Sequence, residues 1–296
     1  MLLRSLIILL LVAGVGATPI SKAPTAKTVS PDAYLRVGII PRLIKGAIRP
    51  QISARSVLLV DVDTGLSLYE KNARLRMPMA SLTKIMTAVM ILGSHRPSEV
   101  VDIQDDFNQY TDLGVRIWLH QYEKITVGDL LTGLLVPSAG DAAVALAEYH
   151  SGSVEKFVEA MNAKARELGL RDTHFKNPIG LDEEGHYSTA FDLATLTRYA
   201  LRFPEFRRIV ALPEASISST NGKITHSFKS TDELLGGYLD IRGVKTGTTD
   251  EAGQSVVNLA RNPASNKEVI SVILDSTDRF QESKSLIDWS FRNYLW

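Results

Sequence analysis

The chain has 296 residues, of which 45% are hydrophobic and 22% charged, a composition typical of a globular protein large enough to bury a sizeable core. Its 33 Lys and Arg balance its 33 Asp and Glu, with no basic block and no acidic tail, which argues against nucleic acid as a partner. The sequence has no cysteine, so the protein must be stable without disulfides.

The first 17 residues differ in kind from the rest. Met1–Arg4 is a short basic start, Leu6–Val12 is an unbroken apolar run, and Val15-Gly16-Ala17 has the small-x-small form of a signal-peptidase site. We predict a signal peptide over residues 1–17, the alternative being an uncleaved anchor. We therefore expect an exported protein, periplasmic or extracellular, with no stable membrane span after cleavage.

Residues 18–50 are predicted to be a tether or N-terminal extension, because the first part is rich in Pro, Lys, Ser and Thr. Apolar residues between Tyr34 and Ile48 suggest that its second part packs on the folded body. The body itself is predicted as a single domain over residues 51–296.

A β-hairpin opens this domain, with Ser56–Val62 and Leu66–Tyr69 on either side of Asp63-Thr64-Gly65. The next element is a short helix from Ile85 to Leu92, which is apolar on every side and therefore buried.

A helical lobe is predicted over about residues 94–212, beginning with loops and short strands up to residue 125. Its expected helices are Leu130–Val136, Asp141–His150, Val154–Leu168 and one that opens at Thr189–Asp192 and ends before Pro204. Ser138 lies in the tight loop between the first two helices.

Alternating patterns after Pro213 predict strands, and the chain closes with a helix. The strands are Ser216–Thr220, Ile224–Phe228, Ile241–Thr246, Ser255–Ala260 and Val269–Leu274, and the helix starts at about Arg279. Two strands, a helical insertion, more strands and a final helix predict an α/β domain whose sheet joins segments distant in sequence.

Ser81 and Lys84 stand at the head of the buried helix, three residues apart and therefore on one face. A serine hydroxyl needs an adjacent base to become a nucleophile, and a lysine that has lost its charge through burial can supply it. The N–H groups at a helix start can also stabilise an oxyanion. Taken alone, however, this spacing favours a helix-capping serine and an ordinary surface lysine.

Two further groups strengthen the signal: Ser138 in its loop, and Lys245-Thr246-Gly247 on a predicted strand. Ser-x-x-Lys, a second serine element and Lys-Thr-Gly occur in this order in penicillin-binding proteins and class A β-lactamases. With the stretches 80–87, 174–182, 187–190 and 243–253, nearly all of residues 53–296 resembles the serine-type D-alanyl-D-alanine carboxypeptidases. These are the low-molecular-mass penicillin-binding proteins that trim peptidoglycan stem peptides.

The resemblance implies a β-lactamase/transpeptidase-like α/β fold, in which an antiparallel sheet is flanked by helices and an all-helical lobe is inserted. It also implies the shorter, single-domain type, similar to the D,D-endopeptidases. Ser81 would be the acylated nucleophile, Lys84 its general base and Ser138 the proton relay to the leaving D-alanine.

On the strand, Lys245, Thr246, Gly247 and Thr248 would form the substrate-binding site. The first two would hold the terminal carboxylate of the stem peptide, and the N–H groups of Thr248 and Ser81 would form the oxyanion hole. β-Lactams would be covalent inhibitors. No cofactor and no metal are implied, and the protein is expected to be associated with the cell wall.

Gly140 departs from the family pattern, which usually has Ser-x-Asn where this chain has Ser138-Ala139-Gly140. The amide that touches both lysine and substrate in relatives is missing. We expect reduced or altered activity rather than loss, because the other motif residues are intact.

Three alternatives stay open from the sequence. A β-lactamase would need a carboxylate for deacylation, for which Glu183 and Glu184 are the candidates. A zinc D,D-peptidase would draw ligands from His174, Asp182 and His186, although no His-Glu-x-x-His motif accompanies them. Gly140 also allows a non-catalytic binder of muropeptides or β-lactams. The choice between carboxypeptidase and endopeptidase cannot be made from the sequence.

Overall fold

The computed structural model describes residues 40–109 and 112–296. The predicted signal peptide and residues 18–39 of the predicted tether lie outside the described residues. In the described part, no helix has the length and apolarity needed to cross a bilayer.

The described elements alternate between a strand-rich body and a helical insertion. The strands are β1 (Arg42–Leu43), β2 (Ser56–Asp61), β3 (Ser67–Lys71), β4 (Val100–Asp102), β5 (Lys124–Thr126), β6 (Glu214–Ser218), β7 (Thr225–Lys229), β8 (Asp240–Thr249), β9 (Gly253–Arg261), β10 (Glu268–Ser276) and β11 (Tyr294–Leu295). The helices are α1 (Lys84–Leu92), α2 (Val127–Leu135), α3 (Gly140–Ser151), α4 (Val154–Glu167), α5 (Ala190–Ala200), α6 (Pro204–Val210) and α7 (Arg279–Asn293).

The main sheet has five antiparallel strands in the order β3-β2-β10-β9-β8. Strand β2 pairs with β10, Asp61 lying opposite Val269, so the first hairpin and the late strands form one sheet. The predicted closure by segments distant in sequence is therefore confirmed.

Both faces of this sheet are covered, since alternate residues of each strand enter different cores. Val57 and Leu59 of β2 pack in the core that contains Leu286 and Trp289 of α7. Their neighbours Leu58 and Val60 pack in the larger core shared with the helical lobe. The period-2 alternation of a strand thus explains why the four central residues of β2, Val57–Val60, are all apolar.

The helical lobe is also confirmed, and side-chain caps define several of its starts. Thr126, Ser153 and Thr189 each accept a hydrogen bond from a backbone N–H in the first turn of α2, α4 and α5. Helix α6 was not expected. Pro204 opens this helix, because proline suits the first helical position, where its missing N–H costs nothing.

Two features of the strands differ from expectation. Strands β6 and β7 pair with each other as a separate two-stranded sheet instead of extending the main one. Strand β1, within the predicted tether, pairs with β11 at the end of the chain.

Candidate active site

Ser81 lies in a short 3₁₀ turn, Ala80–Thr83, directly before α1, whereas the sequence placed it in the first turn of the helix itself. The turn begins with Ala80 at a φ of 49°, a left-handed conformation that is unfavourable for a residue with a Cβ. Such backbone conformations are concentrated at functional sites. The turn nevertheless brings the side chains of Ser81 and Lys84 together.

The Lys84 Nζ donates a hydrogen bond to Ser81 Oγ at 3.0 Å and a second one to the Ile179 carbonyl at 2.8 Å. Lys84 is only 1% exposed. Burial, followed by the nearby charge of Lys245, holds its pKa well below the usual value, and the carboxylate of Asp141 partly offsets this fall. Lys84 is therefore in a position and an environment that suit a neutral amine acting as a base.

The β8 strand lies directly against the Ser81 turn. A Cβ built on Gly247 would be 3.0 Å from the Ala80 Cβ and 3.1 Å from the Ser81 backbone nitrogen, tighter than most real contacts. Only glycine allows this approach without displacement of a neighbour. Gly247 thereby sets the spacing between the Ser81 turn and the strand.

Lys245, two residues before Gly247 on β8, is buried, and its Nζ donates a hydrogen bond to the Thr246 carbonyl at 3.0 Å. Burial lowers the pKa of Lys245 to about 7, an effect that Asp232 opposes and Arg279 reinforces. Burial also raises the pKa of Asp232 to about 6. The strand thus carries an ammonium group whose charge is easily lost unless an anion stabilises it.

Ser138 lies between α2 and α3 as predicted, buried and with a φ of 74°. Its Oγ makes no hydrogen bond to any residue in the ranges 40–109 and 112–296. The hydroxyl is thus free to bind another group. The structure records no direct bond from Ser138 to Ser81 or Lys84, so its relay role stays a prediction.

The glycine at position 140 has a steric cause. A Cβ at this position would lie 1.9 Å from the Leu113 carbonyl oxygen, and the Gly140 N–H donates to the Val115 carbonyl at 2.7 Å. The Leu113 carbonyl therefore fills the space where an asparagine side chain would start.

The neighbouring Asp141 holds the segment of residues 113–119 in place. Its fully buried carboxylate accepts hydrogen bonds from the backbone N–H groups of Ile117 and Leu119, each at 3.2 Å. Gly140 and Asp141 together anchor residues 113–119 against the Ser138 loop.

Several residues beside the site were missed by the sequence analysis. Arg279, at the start of α7, donates to the Gly247 carbonyl at 3.0 Å and to Thr248 Oγ1. Its buried Nε has no hydrogen-bond partner in the described part of the chain. Thr231 Oγ1 bonds Thr246 Oγ1 at 2.5 Å. No local pattern marks these residues, because only the fold brings them to β8.

His186, one of the candidate zinc ligands, is a structural residue. Its Nε2 bonds Thr83 Oγ1 at 2.7 Å, and its Nδ1 accepts a hydrogen bond from the Lys176 N–H at 3.0 Å. Thr83 Oγ1 in turn donates to the Ala80 carbonyl at 2.8 Å. Both ring nitrogens are therefore used in hydrogen bonds, and Nε2 links the Ser81 turn to the segment that contains Lys176.

The remaining candidate residues for a zinc site or a β-lactamase carboxylate form other contacts. Asp182 accepts hydrogen bonds from Thr249 and Glu251, and His174 Nδ1 bonds the Gly185 carbonyl. Glu183 accepts a bond from Asn177, and no bond joins Glu183 or Glu184 to Ser81 or Lys84 among the described residues. No group of three possible ligands that could hold a metal ion is found in that same part of the chain.

A buried lysine whose pKa is lowered lies beside a serine and close to a strand that carries a second lysine and a close-packed glycine, an arrangement suited to acyl transfer through a serine ester. With a five-stranded antiparallel sheet and an inserted helical lobe, it defines the penicillin-binding class of folds. A family model described as D-alanyl-D-alanine carboxypeptidase matches residues 44–278, and the chain belongs to that family.

Individual relatives agree with this assignment. The D-alanyl-D-alanine carboxypeptidase DacF of Bacillus subtilis (strain 168) is 36% identical over 249 residues, which cover 81% of this chain and 63% of that relative. The D-alanyl-D-alanine endopeptidase of Escherichia coli (strain K12) is 31% identical, with coverage of 82% of this chain and 79% of that protein. The chain thus spans less than two thirds of the length of DacF.

The same fold is found in solved structures. The Streptomyces K15 DD-transpeptidase matches with a TM-score of 0.77 at 32% identity, covering 83% of this chain and 99% of that one. Penicillin-binding protein 6B from Escherichia coli matches with a TM-score of 0.75, also at 32% identity. The predicted fold class is therefore confirmed.

Proposed function

We propose that this protein is a serine D,D-peptidase that acts on peptidoglycan stem peptides ending in D-Ala-D-Ala, through an acyl-enzyme on Ser81. The observation that carries the proposal is the 3.0 Å hydrogen bond between Lys84 Nζ and Ser81 Oγ, formed by a buried lysine whose pKa is lowered. The family and its carboxypeptidase and endopeptidase members support the substrate class.

Substrate binding depends on the charge of the strand. The terminal carboxylate of the stem peptide approaches Lys245 and Thr246, with Arg279 nearby. An anion here stabilises the ammonium form of Lys245, whose pKa of about 7 otherwise leaves it partly neutral. The ion pair then places the penultimate carbonyl beside Ser81.

Acylation requires the neutral form of Lys84. Its Nζ takes the proton of Ser81 Oγ as this oxygen attacks the penultimate D-Ala carbonyl. The backbone N–H groups of Ser81 and Thr248 stabilise the oxyanion, which the close packing of Gly247 against the turn allows.

The proton held by Lys84 passes through the Ser138 hydroxyl to the amine nitrogen of the departing D-alanine as the C–N bond breaks, which returns Lys84 to its neutral form. Water then attacks the Ser81 ester while Lys84 accepts a proton from it, and Lys84 returns this proton to Ser81 Oγ as the shortened peptide is released. A D,D-cross-link is cut by the same steps when the leaving amine belongs to a second stem peptide. A β-lactam acylates Ser81 in the same way and remains bound because its ester hydrolyses slowly.

The predicted leader and this substrate support a location outside the cytoplasm. We propose that residues 1–17 are removed and that residues 51–296 work as one catalytic domain at the cell wall. Sequencing the N-terminus of the secreted protein tests this part, and Thr18 is the expected first residue.

The mass of the intact protein after incubation with benzylpenicillin tests the chemistry. The chain from Thr18 onward should gain the mass of one drug molecule, and so should Ser98→Ala, a control at an exposed serine. Ser81→Ala should gain nothing.

Digestion of cross-linked and uncross-linked muropeptides then separates endopeptidase from carboxypeptidase activity. A folded protein that forms no adduct and releases no D-alanine would contradict the proposal, leaving the non-catalytic binder as the better reading. Rapid release of hydrolysed drug would instead indicate a β-lactamase.

A further inference from the structure

The segment that holds β1 exposes an unusual number of aliphatic side chains. Ile48 is 87% exposed and Ile40 63%, and Leu295 of the paired strand β11 is 62% exposed. Leu43 and Ile44 are exposed to about two fifths. We call these five residues, with Arg42, Lys45 and Arg49, the ribbon patch. Apolar side chains grouped in this way mark an interaction surface more often than isolated ones do.

The ribbon patch is a fixed surface, because its backbone is bonded to the end of the chain. Arg42 pairs with Leu295 and Leu43 with Tyr294, and the Ile44 N–H donates to the Asn293 carbonyl at 2.8 Å. The indole N–H of Trp289 donates to the Ile48 carbonyl at 2.8 Å. These bonds satisfy backbone groups, while Ile40, Ile48 and Leu295 keep more than three fifths of their surface exposed.

The charge of the ribbon patch has one sign. Residues 40–50 contain three cations and no Asp or Glu. Arg42 and Lys45 are exposed and form no ion pair within the described ranges, and the Arg49 guanidinium lies 5.9 Å from the centre of the Tyr69 ring. A partner that presents negative charge next to an apolar layer would satisfy both components of this surface.

We propose that the ribbon patch binds the surface of an anionic lipid bilayer. Aliphatic side chains that enter the headgroup region and cations that contact lipid phosphates are the two contributions to interfacial binding. A second copy of the chain is a poorer partner, because a two-fold axis would bring the cations of both ribbon patches close together. The proposal does not depend on the chemistry of Ser81.

Such binding leaves the candidate active site accessible. The Tyr294 hydroxyl donates to the Leu68 carbonyl of β3, and the Tyr69 ring packs edge to face on Trp289. The ribbon patch therefore lies at the β3 edge of the sheet, whereas Lys245 and Gly247 belong to the opposite edge strand, β8. Four strand spacings, or about 19 Å, separate the two edges.

The test is sedimentation of the chain from Thr18 onward with vesicles of pure phosphatidylglycerol and of pure phosphatidylcholine. Residues 1–17 are left out because their apolar run would bind either lipid, and both buried cores lie outside them. We expect binding to phosphatidylglycerol only. Arg42→Gln with Lys45→Gln should weaken it by roughly 25-fold, since each cation contributes about fivefold. Ile44→Ser with Ile48→Ser should weaken it by about tenfold or more.

Two matched variants control for general surface effects: Lys156→Gln with Lys223→Gln at exposed lysines, and Val100→Ser with Leu75→Ser at exposed aliphatic positions. Both should bind as the parent does. The proposal is overturned if the parent does not bind phosphatidylglycerol, or if control and ribbon patch variants lose binding equally. It is also overturned if light scattering shows a dimer that only the ribbon patch variants dissociate, because a second copy would then cover this surface.

Discussion

Replacing Gly140 with asparagine restores the motif that the family usually has, yet we expect it to impair this protein. The new Cβ would meet the Leu113 carbonyl oxygen at 1.9 Å. This carbonyl must move by roughly 1.5 Å to reach an ordinary contact distance. The displacement also strains the bond between the Gly140 N–H and the Val115 carbonyl.

The size of the effect follows from these contacts. Overpacking costs about 1–3 kcal/mol and a lost backbone hydrogen bond about 1 kcal/mol. Gly140→Asn should therefore lower the free energy of unfolding by roughly 2–4 kcal/mol, and the Tm by roughly 5–10 °C. Because Ser138 is in the same tight loop, penicillin acylation of Ser81 should slow by at least about tenfold.

Thermal unfolding and the rate of penicillin acylation measure the two effects. Gly237→Asn makes the same chemical change at an exposed glycine with a negative φ, where a new Cβ would lie 3.2 Å from the Leu234 carbonyl oxygen, so it should change both quantities much less. An unchanged Tm with faster acylation in Gly140→Asn would refute the steric argument. In that case an asparagine side chain fits at position 140, and the lack of its amide is what slows acylation in the natural sequence.

The remaining predictions concern charge at three residues near the site. Burial lowers the pKa of His186 to about 4. As the pH falls below 6.5, the unfolded chain therefore binds a proton at this histidine before the folded protein does. Urea unfolding should therefore show a loss of roughly 3 kcal/mol between pH 6.5 and 4 that His186→Gln does not show. Burial lowers the pKa of Lys245 to about 7, so kcat/KM for a peptide ending in free D-Ala-D-Ala should decline above about pH 7. The amide of the same peptide has no terminal carboxylate and should not show this decline. The lowered pKa of Lys245 also makes the free energy of unfolding rise between pH 7 and 10.5, because in this range the unfolded chain binds more protons than the folded protein does. Arg279→Gln removes the donor to the Gly247 carbonyl and Thr248, and should lower kcat/KM for the free acid by about 10- to 100-fold with little effect in the control Arg292→Gln. An equal loss on free acid and amide would show that Arg279 only supports the strand.

Short-range features of this fold could be predicted from the sequence because they depend on local geometry. Three-residue spacing on a helical turn places Ser81 beside Lys84 wherever that turn lies. Alternation of apolar residues likewise identifies β8, and a capping residue such as Thr126 identifies the start of α2. The roles of these residues in catalysis remain predictions.

Long-range contacts could not be predicted, since no local rule gives a strand or a loop its partner. Alternation identifies β6 and β7 but does not reveal that they pair apart from the main sheet. Arg279 reaches β8 through the placement of α7, and Leu113 reaches Gly140 through a segment without regular structure. The sequence therefore shows that position 140 holds a glycine instead of the usual asparagine, but it does not show the steric contact with Leu113 that requires this glycine.

The pairing of β2 with β10 also has a consequence for biosynthesis. Strand β10 is made more than 200 residues after β2, so the Ser81 turn that follows β3 cannot be fixed against its sheet until nearly the whole chain has emerged. Contacts this far apart in sequence form late, and partly synthesised chains keep an open strand edge. A chain that stalls before Glu268 therefore lacks the frame that aligns Ser81 with Lys245, and the candidate active site is assembled only when β10 has been made.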